Sequence, residues 1–78
     1  MPTIFRKHGL RFYFFSSDGN EPPHVHVEGE GGEAKFWADP LQMEWSRGFG
    51  SGTLLRIESL LRENESLILE KWHEFFGY

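Results

Sequence analysis

The segment Pro22-Pro23-His24-Val25-His26-Val27-Glu28 constrains this chain more than any other. His24, His26 and Glu28 are spaced by two, the side-chain period of a strand, so an extended backbone sends them to one face and Val25 and Val27 to the other. The two prolines offer no N–H to a helix or a ladder, which predicts that the strand starts after them. The β-branched valines and strict alternation favour a strand over a helix. The sheet must therefore have one apolar face that needs covering, and a second face carrying imidazoles and a carboxylate.

The next apolar-alternating run predicts the partner strand. Gly29-Glu30-Gly31-Gly32 reads as a flexible hairpin connection, and Glu33 to Ala38 alternates again. A simple antiparallel pair puts Glu28 opposite Glu33, His26 opposite Lys35 and His24 opposite Trp37 on the polar face. Val27 then meets Ala34, and Val25 meets Phe36, on the reverse face. A slip of one residue would mix the two sets, so this register is the expected one.

Upstream, Thr3 to Lys7 reads as an edge strand that turns at His8-Gly9. Leu10 to Ser16 is a dense aromatic strand, with Phe12 and Phe14 on one face and Arg11, Tyr13 and Phe15 on the other. Ser17-Asp18-Gly19-Asn20 is a turn. Downstream, Asp39-Pro40 marks a further turn. Leu41 to Ser46 reads as a short strand with Leu41, Met43 and Trp45 on one side, and the glycines between 47 and 52 form a hinge. Leu54, Ile57, Leu61, Ile68, Trp72, Phe75 and Phe76 follow a helical period, interrupted only at Asn64-Glu65-Ser66. Two helices with a break there are expected, with one continuous helix as the alternative.

The fold class expected is α+β: a mainly antiparallel sheet of four or five strands, with two C-terminal helices packed on one face. Residues 1–78 are read as a single domain, with a β-rich half over 1–46 and a helical half over 51–76. The face bearing His24, His26, Lys35 and Trp37 is expected to be at least partly open. Trp72, Phe75 and Phe76 are expected in the core.

Composition narrows the function classes. Twelve acids against eight lysines and arginines give a net charge of −4, which argues against a general electrostatic grip on nucleic acid. The bases Arg6, Lys7 and Arg11 nevertheless sit in an acid-free first stretch, so a local basic patch is expected there. Without cysteine there is neither a disulfide nor a thiolate zinc site. No signal-like or membrane-spanning run is evident, so the expectation is a cytoplasmic protein with no membrane association. A chain this short often gains stability from a partner subunit, and a homodimer is one form this would take.

The chain resembles a family of small bacterial proteins, the domain-of-unknown-function 4160 family. The residues that carry the resemblance are the opening Met1-Pro2-Thr3-Ile4-Phe5-Arg6, the aromatic strand ending near Ser16, and Asn20-Glu21-Pro22-Pro23-His24-Val25-His26-Val27. Glu33-Ala34-Lys35-Phe36, Gly48-Phe49 and Trp72-His73-Glu74-Phe75-Phe76 complete it. Gly50-Ser51 stands where the family tends to have Ser-Pro or Ser-Ala after the Gly-Phe. The resemblance implies one half of a two-gene pair, with this chain as the toxin-like member of a type II toxin–antitoxin module and a small antitoxin-like protein as its partner.

Three chemistries suit the polar face. In the first, His24 and His26 share acid–base work on an RNA phosphodiester without a metal. Lys35, Arg6 and Arg11 would then meet phosphate charge, and Tyr13 or Trp37 would stack a base. In the second, His24 and His26 bind a divalent metal such as zinc or manganese, with Glu28 or Glu33 supplying a carboxylate. In the third, the face is a non-enzymatic surface that docks a protein partner. His73-Glu74 is read as exposed on the last helix, and Glu58, Arg62, Glu65 and Glu70 as a solvated helical face.

Overall fold

A computed structural model describes residues 3–78. Met1 and Pro2, part of the opening that carries the family resemblance, lie outside the described residues. Five strands precede two helices: β1 (Thr3–Lys7), β2 (Leu10–Tyr13), β3 (His24–Gly29), β4 (Gly32–Ala38), β5 (Leu41–Arg47), α1 (Ser51–Glu63) and α2 (Glu65–Phe76). The strands form one antiparallel sheet in sequence order, so each is joined to its neighbour by a short hairpin or loop, and β1 and β5 are the edges. This is the α+β fold expected.

The central hairpin has the expected register. His24 pairs with Trp37, Val25 with Phe36, His26 with Lys35, Val27 with Ala34 and Glu28 with Glu33. Its connection is tighter than a flexible four-residue loop. Gly29 and Gly32 still pair, and only Glu30 and Gly31 turn, at φ of 52° and 80°. Two consecutive left-handed residues are the signature of a type I′ turn, whose twist matches that of the strands. His8 and Gly9, at 54° and 77°, make the same kind of turn between β1 and β2. The β4–β5 connection contains a cis Asp39-Pro40 peptide.

Val25, Val27, Phe36, Phe12, Ala34 and Ala38 form the apolar face and pack against Ile57, Leu60, Leu61 and Ile68 of the two helices. Phe5 stacks on Phe12 with centroids 4.3 Å apart, extending the layer to the edge strand. Large fully buried side chains of this kind supply most of the favourable free energy in so small a domain. The helices break at Asn64, as the two-helix reading expected. Asn64 is not left-handed, however: at φ −114° its side chain does not cap the start of α2, and its side-chain amide instead donates to the Leu60 carbonyl in the last turn of α1 at 2.8 Å.

Three expectations need correction. The aromatic strand ends at Tyr13, not Ser16, because the Asp18 carboxylate accepts the Phe15 N–H at 2.8 Å while the Asp18 N–H returns to the Phe15 carbonyl at 3.0 Å. Trp45 does not share a side with Met43. Lys35 pairs with Trp45 but Phe36 with Met43, so Glu44 is an extra bulge residue that turns Trp45 to the polar face. Of the three C-terminal aromatics only Trp72 is fully buried; Phe75 is 51% exposed and Phe76 is half-buried.

Candidate functional site

Register alone arranges the polar face in rows across the sheet. The first row reads Arg11, Glu28, Glu33, Arg47, and the second Tyr13, His26, Lys35, Trp45. His24 and Trp37 stand in the third. In the first row each carboxylate takes an arginine. Arg11 Nη1 donates to Glu28 at 2.8 Å and Arg47 Nε to Glu33 at 2.9 Å. Arg11 also lies over the Tyr13 ring and donates to Thr3 Oγ1. Arg6 pairs opposite Arg11 at the exposed edge.

The third row is where the structure departs most from the sequence reading. His24 is fully buried, although its face was expected to be at least partly open and is so at His26, Lys35 and Trp37. The segment between β2 and β3 folds back over this end of the sheet, and the C-terminal helix closes it from the side. The His24 ring lies 5.0 Å from Trp72, 5.6 Å from Trp37 and 5.1 Å from His26. Trp72 in turn packs on Phe14 and Phe76. Gly19 makes this closure possible: a Cβ there would come within 2.6 Å of the Phe76 ring. His26 is covered less completely, between Tyr13, which stacks on it, and the edge of Phe15.

The loop brings in a carboxylate that sequence spacing did not identify. Asp18 Oδ2 lies 2.9 Å from His24 Nε2 and 3.2 Å from His26 Nε2. Glu28, the acid expected beside the histidines, is held by Arg11 instead. The only sequence signal for Asp18 was its place in a turn just before the proline pair. Nothing in the strand period links residue 18 to residues 24 and 26. His8 and His73 are both exposed and do not join the cluster.

Pro22 O can only accept, so the 3.0 Å contact from His24 Nδ1 fixes a hydrogen on Nδ1. In the neutral ring the lone pair is then on Nε2, facing Asp18. Burial pushes the Asp18 carboxyl up, but the Phe15 N–H and the positive charge of the two imidazoles in their protonated form outweigh it and hold it below its usual value. Burial lowers His26, and Asp18 only partly offsets this. Burial, with Glu28 and Glu33 nearby, raises the Tyr13 phenol. Lys35 Nζ donates to Glu21 at 2.8 Å, which lowers that carboxyl, and lies over the Trp37 ring.

The arrangement bears directly on the three chemistries. His26, Lys35 and Trp37 keep some exposure, whereas His24 has no surface with which to touch a substrate. Both Arg11 and Lys35 are already matched by carboxylates, with which a phosphate would have to compete. No helix among the described residues is long and apolar enough to cross a membrane.

Compared with known proteins, the chain matches the family model described as Domain of unknown function (DUF4160) over residues 9–73. No curated protein and no solved structure matches it. The match takes in the proline pair, both histidines, Asp18 and Trp72, and leaves Met1 to Arg6 and Glu74 to Phe76 outside. The chain belongs to the DUF4160 family.

Proposed function

We propose that this protein is the toxin-like member of a bacterial two-gene pair, and that a small cognate protein docks along its β5 edge and the adjoining face of α1. The observation that carries the docking is an exposed apolar strip. Met43 is 47% and Leu55 70% exposed, and with Phe36 and Leu54 they line a groove of about 310 Å³ between β5 and α1. β5 is a seven-residue edge strand. One side of its backbone is free to pair, a common way for an extended segment to add to a sheet. An acidic chain of net charge −4 suits a basic partner. The two-gene setting comes from the family resemblance. Ribonuclease chemistry by His24, His26 and Lys35 is the weaker reading, because His24 is buried and Lys35 is tied to Glu21.

Expression in a bacterial host, with and without the neighbouring small gene, tests this. The chain alone should slow growth, and the neighbour should relieve it by forming a stoichiometric complex. Met43→Lys and Leu55→Lys should each weaken that complex at least about tenfold, as expected for anchor positions. A neighbour product that binds both variants as tightly as wild type would overturn the docking site. A second copy on the same edge is the competing outcome, visible as a dimer of the isolated chain that Met43→Lys disrupts. If His26→Gln alone abolished growth arrest and the arrest came with RNA cleavage, the catalytic reading would replace this one.

A further inference from the structure

We infer that Asp18, His24 and His26 form a binding site for one divalent transition-metal ion, with His24 Nε2, His26 Nε2 and Asp18 Oδ2 as ligands. The three donor atoms lie within 4.8 Å of one another. Two imidazoles and a carboxylate form a borderline donor set suited to zinc and its first-row neighbours. The site is independent of the β5–α1 docking groove.

The two separations from Asp18 match a coordination sphere, and the two imidazole nitrogens, within 4.8 Å of each other, need to close to no more than about 4 Å to share the ion. With bonds of about 2.0–2.1 Å to each ligand, oxygen–nitrogen separations of 2.9 and 3.2 Å correspond to angles at the ion of about 90° and about 100°. The direction of the His24 contact is more telling than its length. Although Asp18 Oδ2 is only 2.9 Å away, His24 Nε2 is fully buried and has no hydrogen-bond partner. A hydrogen-bond acceptor lies along the ring nitrogen's own axis. When two ligands share an ion, that axis points at the ion, and the second ligand atom lies about 45° to one side for bonds of this length. The His24 contact is thus short but misdirected, as a shared ion requires, whereas His26 Nε2 lies in hydrogen-bonding geometry with Asp18 Oδ2 at 3.2 Å, a contact that the ion would replace.

The surroundings support the same assignment. His24 Nδ1 is held by the Pro22 carbonyl at 3.0 Å, with Glu21 Oε1 at 3.5 Å, the outer-shell arrangement that fixes a ligating imidazole with its lone pair on Nε2. Pro22 thereby acquires a second role, orienting the ligand as well as leading into the strand. The rings of Trp37, Trp72, Tyr13 and Phe15 enclose the histidines. Asp18 and His26 keep 16% and 12% of their side-chain surface exposed, which leaves a side through which an ion can enter and a solvent ligand can complete the shell. An ion here would staple the β2–β3 loop to the sheet, a familiar source of stability in small scaffolds.

The test uses untagged full-length protein stripped with chelator, with Zn²⁺ and Co²⁺ as probes. Wild type should bind one equivalent, develop visible d–d absorption with Co²⁺ that Zn²⁺ abolishes, and melt about 15 °C higher when zinc is a hundredfold above its dissociation constant. Asp18→Asn and His26→Gln should each weaken binding more than tenfold and lose the thermal shift, while Glu28→Gln should behave as wild type. Circular dichroism of the stripped variants establishes that they are folded, and if one is not, the other decides the matter. Absence of Co²⁺ absorption and of any zinc-dependent shift in wild type would overturn the site. So would retention of full affinity by folded Asp18→Asn or His26→Gln.

Discussion

At the scale of single residues, the cluster makes the metal-free protein sensitive to acid. Burial lowers His26 in the fold, so as pH falls below the ordinary histidine value of about 6.5 the unfolded chain takes up a proton that the folded chain resists. The unfolded state binds more protons in that window, and stability must fall as the pH drops. Asp18, held below its ordinary value, acts in the same direction at lower pH: its contribution is present above about 3.9 and is lost as pH falls through its folded value. Urea unfolding in chelator should therefore show a declining midpoint from pH 7.5 to 5. His26→Gln should flatten that decline, whereas a surface histidine change, His73→Gln, should leave it intact.

At the scale of elements, the short connections are set by backbone sign and by space. Gly31 and Gly48 have almost the same φ, 80° and 79°, but different surroundings. A Cβ on Gly31 meets nothing within 4 Å, while one on Gly48 would lie 2.5 Å from the Gly31 carbonyl oxygen and 2.9 Å from Gly32 Cα. Gly31→Ala should cost about 1 kcal/mol, the usual penalty of a left-handed alanine. Gly48→Ala adds a backbone clash to that penalty and should cost about 2–3 kcal/mol or more. Chemical denaturation of the two variants measures the difference directly. Of these elements, the central hairpin and its register were legible in the sequence because two alternating runs could pair in only one way without mixing faces. The Glu44 bulge was not, since one extra residue leaves the local alternation of Leu41, Met43 and Trp45 looking intact.

At the scale of the whole molecule, Trp72 joins three parts of the chain. Fully buried on α2, it touches His24 at the start of β3, Phe14 beyond the end of β2, and Phe76 one turn further along its own helix. Trp72→Ala should cost about 3–5 kcal/mol, comparable to the whole stability of many domains this small, and leave the chain largely unfolded at 37 °C. Trp72→Phe should be far milder. It keeps most of the ring and removes the indole N–H, which is buried without a partner and carries a desolvation penalty. Equilibrium unfolding followed by circular dichroism distinguishes the two.

The sequence by itself determined the register of the central hairpin, the face on which each of its side chains stands and most of the apolar layer. These follow from period and pairing, which are local and cannot be satisfied two ways. Only the tertiary structure decided what the histidines face. Asp18 reaches them because the β2–β3 loop folds back, and the loop folds back because Phe14 has Trp72 and Phe76 to pack against and Gly19 lets the C-terminus close over it. No spacing rule connects residues 18, 24, 72 and 76. Their meeting is a consequence of burying the same aromatic cluster from both ends of the chain.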